Sequence, residues 1–128
     1  MKKFAIAMAL TGLVGVSFAT PSAAHHAVNA QFDVTNLVSK TGVLTGLDNL
    51  NPHAYWHFDI KGPNGKVEKW NIESVAPNAL RRAGIRMKDD VKVGQTYSFQ
   101  MAPSRNGTRT GLLIVFTVGG KSVRLTPQ

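Results

Sequence analysis

The strongest constraint on the fold is the stretch Ala54 to Lys61, which alternates apolar and polar residues without a break. Trp56, Phe58 and Ile60 fall on one side, with Tyr55, His57, Asp59 and Lys61 on the other. That period of two is the mark of a strand with one buried face. Gly62-Pro63-Asn64-Gly65 follows as a hairpin turn, and Lys66 to Ser74 returns with Trp70 and Ile72 directed inward. The two tryptophans therefore read as core residues on neighbouring strands rather than as a stacking platform for a ligand.

The remaining elements are arranged around this hairpin. Leu37 to Leu47 reads as a preceding strand, with Gly42 and Gly46 marking bends or bulges. Asn49-Leu50-Asn51-Pro52 is a loop signal. After the hairpin, Pro77 suits the first turn of a short helix that runs to Ala83, with Gly84 just past its end. Val91 to Gln95 leads into a strand over Thr96 to Met101, and Asn106-Gly107 turns the chain into Thr110 to Val118. The run Leu112–Val118 is too apolar to lie anywhere but the interior. Gly119-Gly120 turns into a sixth short strand, Ser122 to Leu125. Three strands, a helix and two or three strands define a mainly β fold. The order is that of a small five- to six-stranded barrel of oligonucleotide-binding (OB) type with one short helix. A curved open sheet or β-sandwich is the alternative.

The amino end reads as an export signal, Met1–Ala24. Lys2 and Lys3 give a basic start, Phe4 to Val16 is almost wholly apolar, and Ser17 to Ala24 turns small and polar. A cut after Ala24 places Ser22 and Ala24 at the two small-residue positions read by the peptidase. The apolar core is shorter than the ~20 residues of a membrane-spanning helix, so no stable anchor is expected after cleavage. Residues 25–128 then make one domain, periplasmic or secreted, in which 25–36 is a polar amino-terminal arm anchored by Phe32. The sequence has no cysteine. Disulfides, a lipid-bearing cysteine and thiolate metal sites are thereby excluded.

Fifteen Lys and Arg stand against seven Asp and Glu, a formal charge of +8 that falls to +6 when Lys2 and Lys3 leave. Export argues against nucleic acid as the partner of this basic chain. The one local cluster is Arg81 and Arg82 followed by Arg86 and Lys88. Together with Tyr55 and His57 on the outer strand face, Arg81, Arg82 and Arg86 suit an acidic partner in the cell envelope.

Histidine usage is the more pointed signal. The four histidines come in two pairs, His25-His26 and His53 with His57. A cut after Ala24 makes His25 the new amino terminus, whose amine and imidazole chelate one metal ion while His26 adds a third nitrogen. A cut after Ala23 puts a histidine second and third in the chain, which is also a strong chelate. Copper suits such nitrogen-rich tetragonal sites and leads the divalent affinity order. His53 and His57 stand about 13 Å apart along a straight strand, too far for one ion. His53 follows Pro52 and is placed in the loop, within reach of an arm that stretches ~25 Å. The expected metal site is therefore His25, His26 and His53, with His57 a weaker member. No acid/base carboxylate pair, phosphate loop, serine nucleophile elbow or HExxH motif points to an enzyme.

His25-His26, Phe32-Asp33, Asn51-Pro52-His53-Ala54 with Trp56, and Trp70…Glu73…Pro77-Asn78-Ala79-Leu80-Arg81-Arg82…Gly84 resemble an uncharacterised family of small exported bacterial proteins. The similarity covers essentially the whole chain after the signal. It implies an exported, β-rich single domain and brings no activity or ligand with it. Ala27-Val28 stand where family members often carry Ser-Phe, so no role of that serine transfers.

Overall fold

The computed structural model describes residues 21–125, with side chains described from residue 26 onward. Residues 1–20 of the expected export segment lie outside the described residues. Six strands form a single sheet: β1 (Val38–Asp48), β2 (His53–Lys61), β3 (Val67–Val75), β4 (Thr96–Pro103), β5 (Thr110–Val118) and β6 (Lys121–Arg124). Their order is β3-β2-β1-β4-β5-β6, and β3 also pairs with β5. That last contact is parallel, matching Asn71 to Glu73 with Thr110 to Leu112, and it closes five strands into a barrel. β6 adds to the edge of β5 outside the closed ring. The mainly β, OB-like expectation holds, and closure decides it against an open sheet.

β1 belongs to both halves of the barrel. Its first part, Val38 to Val43, pairs with β4, and its second part, Val43 to Asp48, pairs with β2. A strand shared in this way must coil strongly, and both expected glycines serve that need. The register against β2 slips between Leu44 and Gly46, a bulge beside the second glycine. At Gly42 the partner strand comes so close that a Cβ would lie 2.7 Å from Ile60 Cγ1 and 2.8 Å from the Asp59 carbonyl oxygen.

The core lies inside the ring. Trp56, Phe58, Phe99 and Phe116 pack with ring centroids 4.5 Å apart for Phe58–Phe99 and 4.9 Å for Trp56–Phe116. Aromatic pairs at these separations contribute about 0.5–1.5 kcal/mol each beyond their buried area. Trp56 is fully buried, and its indole N–H donates to Ser74 Oγ at 2.8 Å. Ser74, the buried polar residue of this core, in turn donates to the Val75 carbonyl. Trp70 points inward as expected but is only half-buried, with Lys40 over its ring at 5.0 Å and its N–H on Glu68.

Three short helices are present among the described residues where one was expected. The expected one, α2 (Pro77–Arg82), opens on proline, sets Leu80 fully into the core and ends before Gly84 at φ +96. The single turn α3 (Met87–Asp90) is held at its start by the Arg86 N–H donating to Asp90 Oδ2 at 2.8 Å. Four residues carry too little periodicity to announce themselves in a sequence. The third helix, α1 (Pro21–Gln31), occupies most of the expected arm, so the arm is helical as far as Gln31. Alanine-rich composition behind a first-position proline explains why. Below α1, Phe32 is 3% exposed in a second cluster with Ala102, Leu112 and Ile114, against which Val28, Val34 and Leu37 pack. Burying Phe32 there stabilises the segment by about 1.5–3 kcal/mol. Arg105 ties it further, its backbone N–H donating to the Gln31 carbonyl and its Nε to the Asn29 carbonyl.

Three substitutions test these contacts. Gly42→Ala forces backbone or Ile60 to move and should lower unfolding free energy by about 1–3 kcal/mol in a urea titration. Gly46→Ala, whose nearest neighbour is the half-exposed His57 ring at 3.1 Å, should lose less. Ser74→Ala leaves the buried Trp56 N–H without an acceptor and should cost about 1–3 kcal/mol in the same assay. A Ser74→Ala protein as stable as the wild type would show that this hydrogen bond does not hold the core.

Candidate functional site

The candidate site lies on the outer face of β1, β2 and β3, opposite the buried side chains. Cross-strand register sets Asp48, Tyr55 and Glu73 in one row and Gly46, His57 and Asn71 in the next. His53 begins β2 on the other side of the Tyr55 row, opposite Val75. It is thus a strand residue and not the loop residue expected from Pro52. The Asn51–Pro52 peptide bond is cis.

Each histidine on this face meets a carboxylate across the strands. His53 Nδ1 contacts Glu73 Oε1. His57 Nε2 lies 2.8 Å from Asp48 Oδ2. Tyr55 is half-buried between the two pairs. Opposite His57, Gly46 has no side chain to crowd the imidazole, whose Cδ2 would be 3.1 Å from a Cβ there. As exposed ion pairs these contacts are worth about 0–1 kcal/mol each. Their consequence for chemistry is larger. Where the ring is neutral and its proton sits on the nitrogen facing the carboxylate, Nδ1 of His53 or Nε2 of His57, the opposite nitrogen keeps its lone pair free. Glu73 is well placed for this because its side chain is only 18% exposed, whereas Asp48 is 56% exposed.

The expected metal ligands are not gathered by the described residues. No group of three or more His, Asp or Glu side chains among them comes close enough to share an ion. His53 and His57 are separated by the length of strand that forbids joint coordination. His26 is exposed on α1, and His25 lies in that helix with its side chain outside the described set. One structural link joins the two regions. Leu112, which packs in the cluster under Val28 and Phe32, is the register partner of Glu73 across the β3–β5 seam.

The expected partner-binding residues differ in how they are engaged. Arg81 and Arg82 are exposed in the last turn of α2, where positive charge suits the carbonyl end of a helix. Arg86 is instead engaged by Asp89 and Asp90, each at 3.4 Å. Tyr55 sits on the β2 face and shares no described hydrogen bond with these arginines.

Sequence reasoning missed both carboxylates of the face. Glu73 was recoverable, because counting back along the hairpin from Gly62–Gly65 brings Tyr55 opposite Glu73. Asp48 was not, because the register slip between Leu44 and Gly46 shifts every later pairing of β1.

No curated protein matches the chain. The model of a family of unknown function, DUF6152, matches residues 13–114, which include the whole of β1 to β4, both histidine pairs and the closing β3–β5 ladder. The chain belongs to that family.

Proposed function

We propose that the chain is an exported binding protein that captures or delivers a transition metal, copper by ligand chemistry, through His25, His26 and His53. The observation that carries this reading is the His53–Glu73 contact. A carboxylate on one imidazole nitrogen, with the other nitrogen free, is the outer-shell arrangement that orients metal-binding histidines and raises their basicity. Export supplies the remaining ligands. Cleavage after Ala24 removes the first turn of α1 and leaves His25 at a helix end, where fraying lets its amine and imidazole turn toward the barrel. Four nitrogen donors and no thiolate suit divalent copper.

A second reading rests on the charge inventory. All seven carboxylates of Asp and Glu have a basic or imidazole partner, whereas Arg81 and Arg82 have no carboxylate partner among the described residues. An acidic partner in the cell envelope would meet these two arginines without competition from neighbouring acids.

Copper titration of the processed protein by calorimetry separates the readings. The metal reading expects one-to-one binding that weakens at least tenfold in His53→Ala and in the His25→Ala/His26→Ala double variant. Glu73→Gln should weaken it by about 10–100-fold, the usual effect of removing an outer-shell partner. Binding indifferent to both His53 and Glu73 would reduce the histidines to an adventitious chelate and leave the acidic-partner reading.

A further inference from the structure

The outer surface has a second organised face, on β1, β4, β5 and β6. Thr41 pairs in register with Ser98, Ser98 with Thr117, and Thr117 with Ser122. The result is an unbroken row of four hydroxyls across four strands. Thr41 and Ser98 oxygens are 2.9 Å apart, and those of Thr117 and Ser122 are 2.8 Å apart. In each pair either oxygen can be the donor, so the row can present donors or acceptors as a ligand requires. The neighbouring row is Ser39, Gln100, Val115 and Arg124 by the same registers. At a strand spacing of ~4.8 Å each row is about 14 Å long. The hydroxyl row together with Ser39, Gln100 and Val115 lines an open groove of about 540 Å³, and Arg124, the register partner of Val115, stands beside it on β6.

The charge of this face is one-sided. No carboxylate lines the groove, and every acidic side chain of the protein already has a basic or imidazole partner elsewhere. Lys40 reaches the groove through its backbone strand, but its ammonium lies over Trp70. Arg124, exposed at the end of the second row, has no carboxylate partner among the described residues. A hydrogen-bonding surface of hydroxyls and one amide, with an exposed arginine on the bordering strand, matches a ligand that is itself rich in hydroxyls and carries a carboxylate. A guanidinium takes a carboxylate bidentately. An extended apolar peptide would leave the hydroxyl row unpaired, and a neutral glycan would leave Arg124 unused.

From this juxtaposition of a four-strand hydroxyl row lining the groove and Arg124 bordering it on β6, we propose that the chain binds an acidic oligosaccharide there. The site is separate from the histidine face and does not rest on the metal reading.

The probe is a short oligogalacturonate, titrated into ¹⁵N-labelled protein beside a neutral cello-oligosaccharide of equal length. Saturable shifts at the amides of Ser98, Gln100, Thr117 and Ser122 are expected for the acidic probe. The neutral one should bind at least tenfold more weakly. Thr117→Val keeps shape and removes one hydroxyl, and Arg124→Gln removes the charge. Each should weaken binding at least fivefold while circular dichroism and melting temperature stay those of the wild type. Three results would each overturn the proposal. They are no saturable shift in the groove, shifts centred instead on Arg81 and Arg82, and equal affinity for the two probes.

Discussion

Asn71 to Glu73 and Thr110 to Leu112 make a parallel ladder only three residues long, yet it holds the barrel shut. Every other pairing in the ring is antiparallel and joins strands over longer stretches. The two strands that meet here are separated in sequence by α2, α3 and β4, so the loop entropy of bringing them together falls on a small number of hydrogen bonds. What makes the closure favourable is burial. Ile72, on the inner side of the ladder, is fully buried with Trp56, Leu113 and Phe116 in one cluster. Leu112, on the outer side, anchors the cluster that receives Phe32 and α1. The seam is thus clamped from within and from without, and the outer clamp is the segment that carries His25 and His26.

The seam also fixes the chemistry of the outer surface. Glu73 is the last ladder residue, and its side chain turns outward to His53. Glu73 is paired with β5 on one side and β2 on the other, which restrains the backbone that carries its carboxylate. Asp48, near the end of β1 beyond the bulge, is paired only with β2 and is far more exposed. The two histidine–carboxylate pairs are therefore alike in composition and unlike in rigidity. Only the His53 pair has the fixed outer partner that metal ligation by imidazole calls for.

Legibility from sequence followed the range of the interactions involved. The hairpin of β2 and β3, its turn and its buried face could be read residue by residue, because period-two alternation and Gly-Pro-Asn-Gly are local signals. The order of strands and helix pointed to an OB-like barrel, but closure by β3 and β5 depends on packing between distant segments that no local pattern records. Helix α1 was read as an arm because Pro21 also fits the end of an export signal, and composition alone does not show that Val28 and Phe32 have a cluster to cover. At the site, the histidines were visible as rare residues in pairs, while their carboxylate partners emerge only from register. The hydroxyl row was wholly invisible, since serine and threonine scattered through four strands become a row only when three pairings are known.

That row and the histidine face share a cause in the coiling of β1. A regular strand without the bulge would point Asp48 to the face opposite Ser39 and Thr41. Coiling at Gly42 and the bulge after Leu44 turns the first half of β1 toward β4 and the second half toward β2. The strand therefore contributes Ser39 and Thr41 to one outer surface and Asp48 to another. Chemistry divides along the same line. Carboxylates and imidazoles occupy the β1–β2–β3 side, and uncharged hydroxyls with a lone guanidinium occupy the β1–β4–β5–β6 side. Inside the ring, Trp56, Phe58, Phe99 and Phe116 pack against one another as core. Both proposed sites lie on the outer surface, where one coiled strand makes two chemically distinct faces.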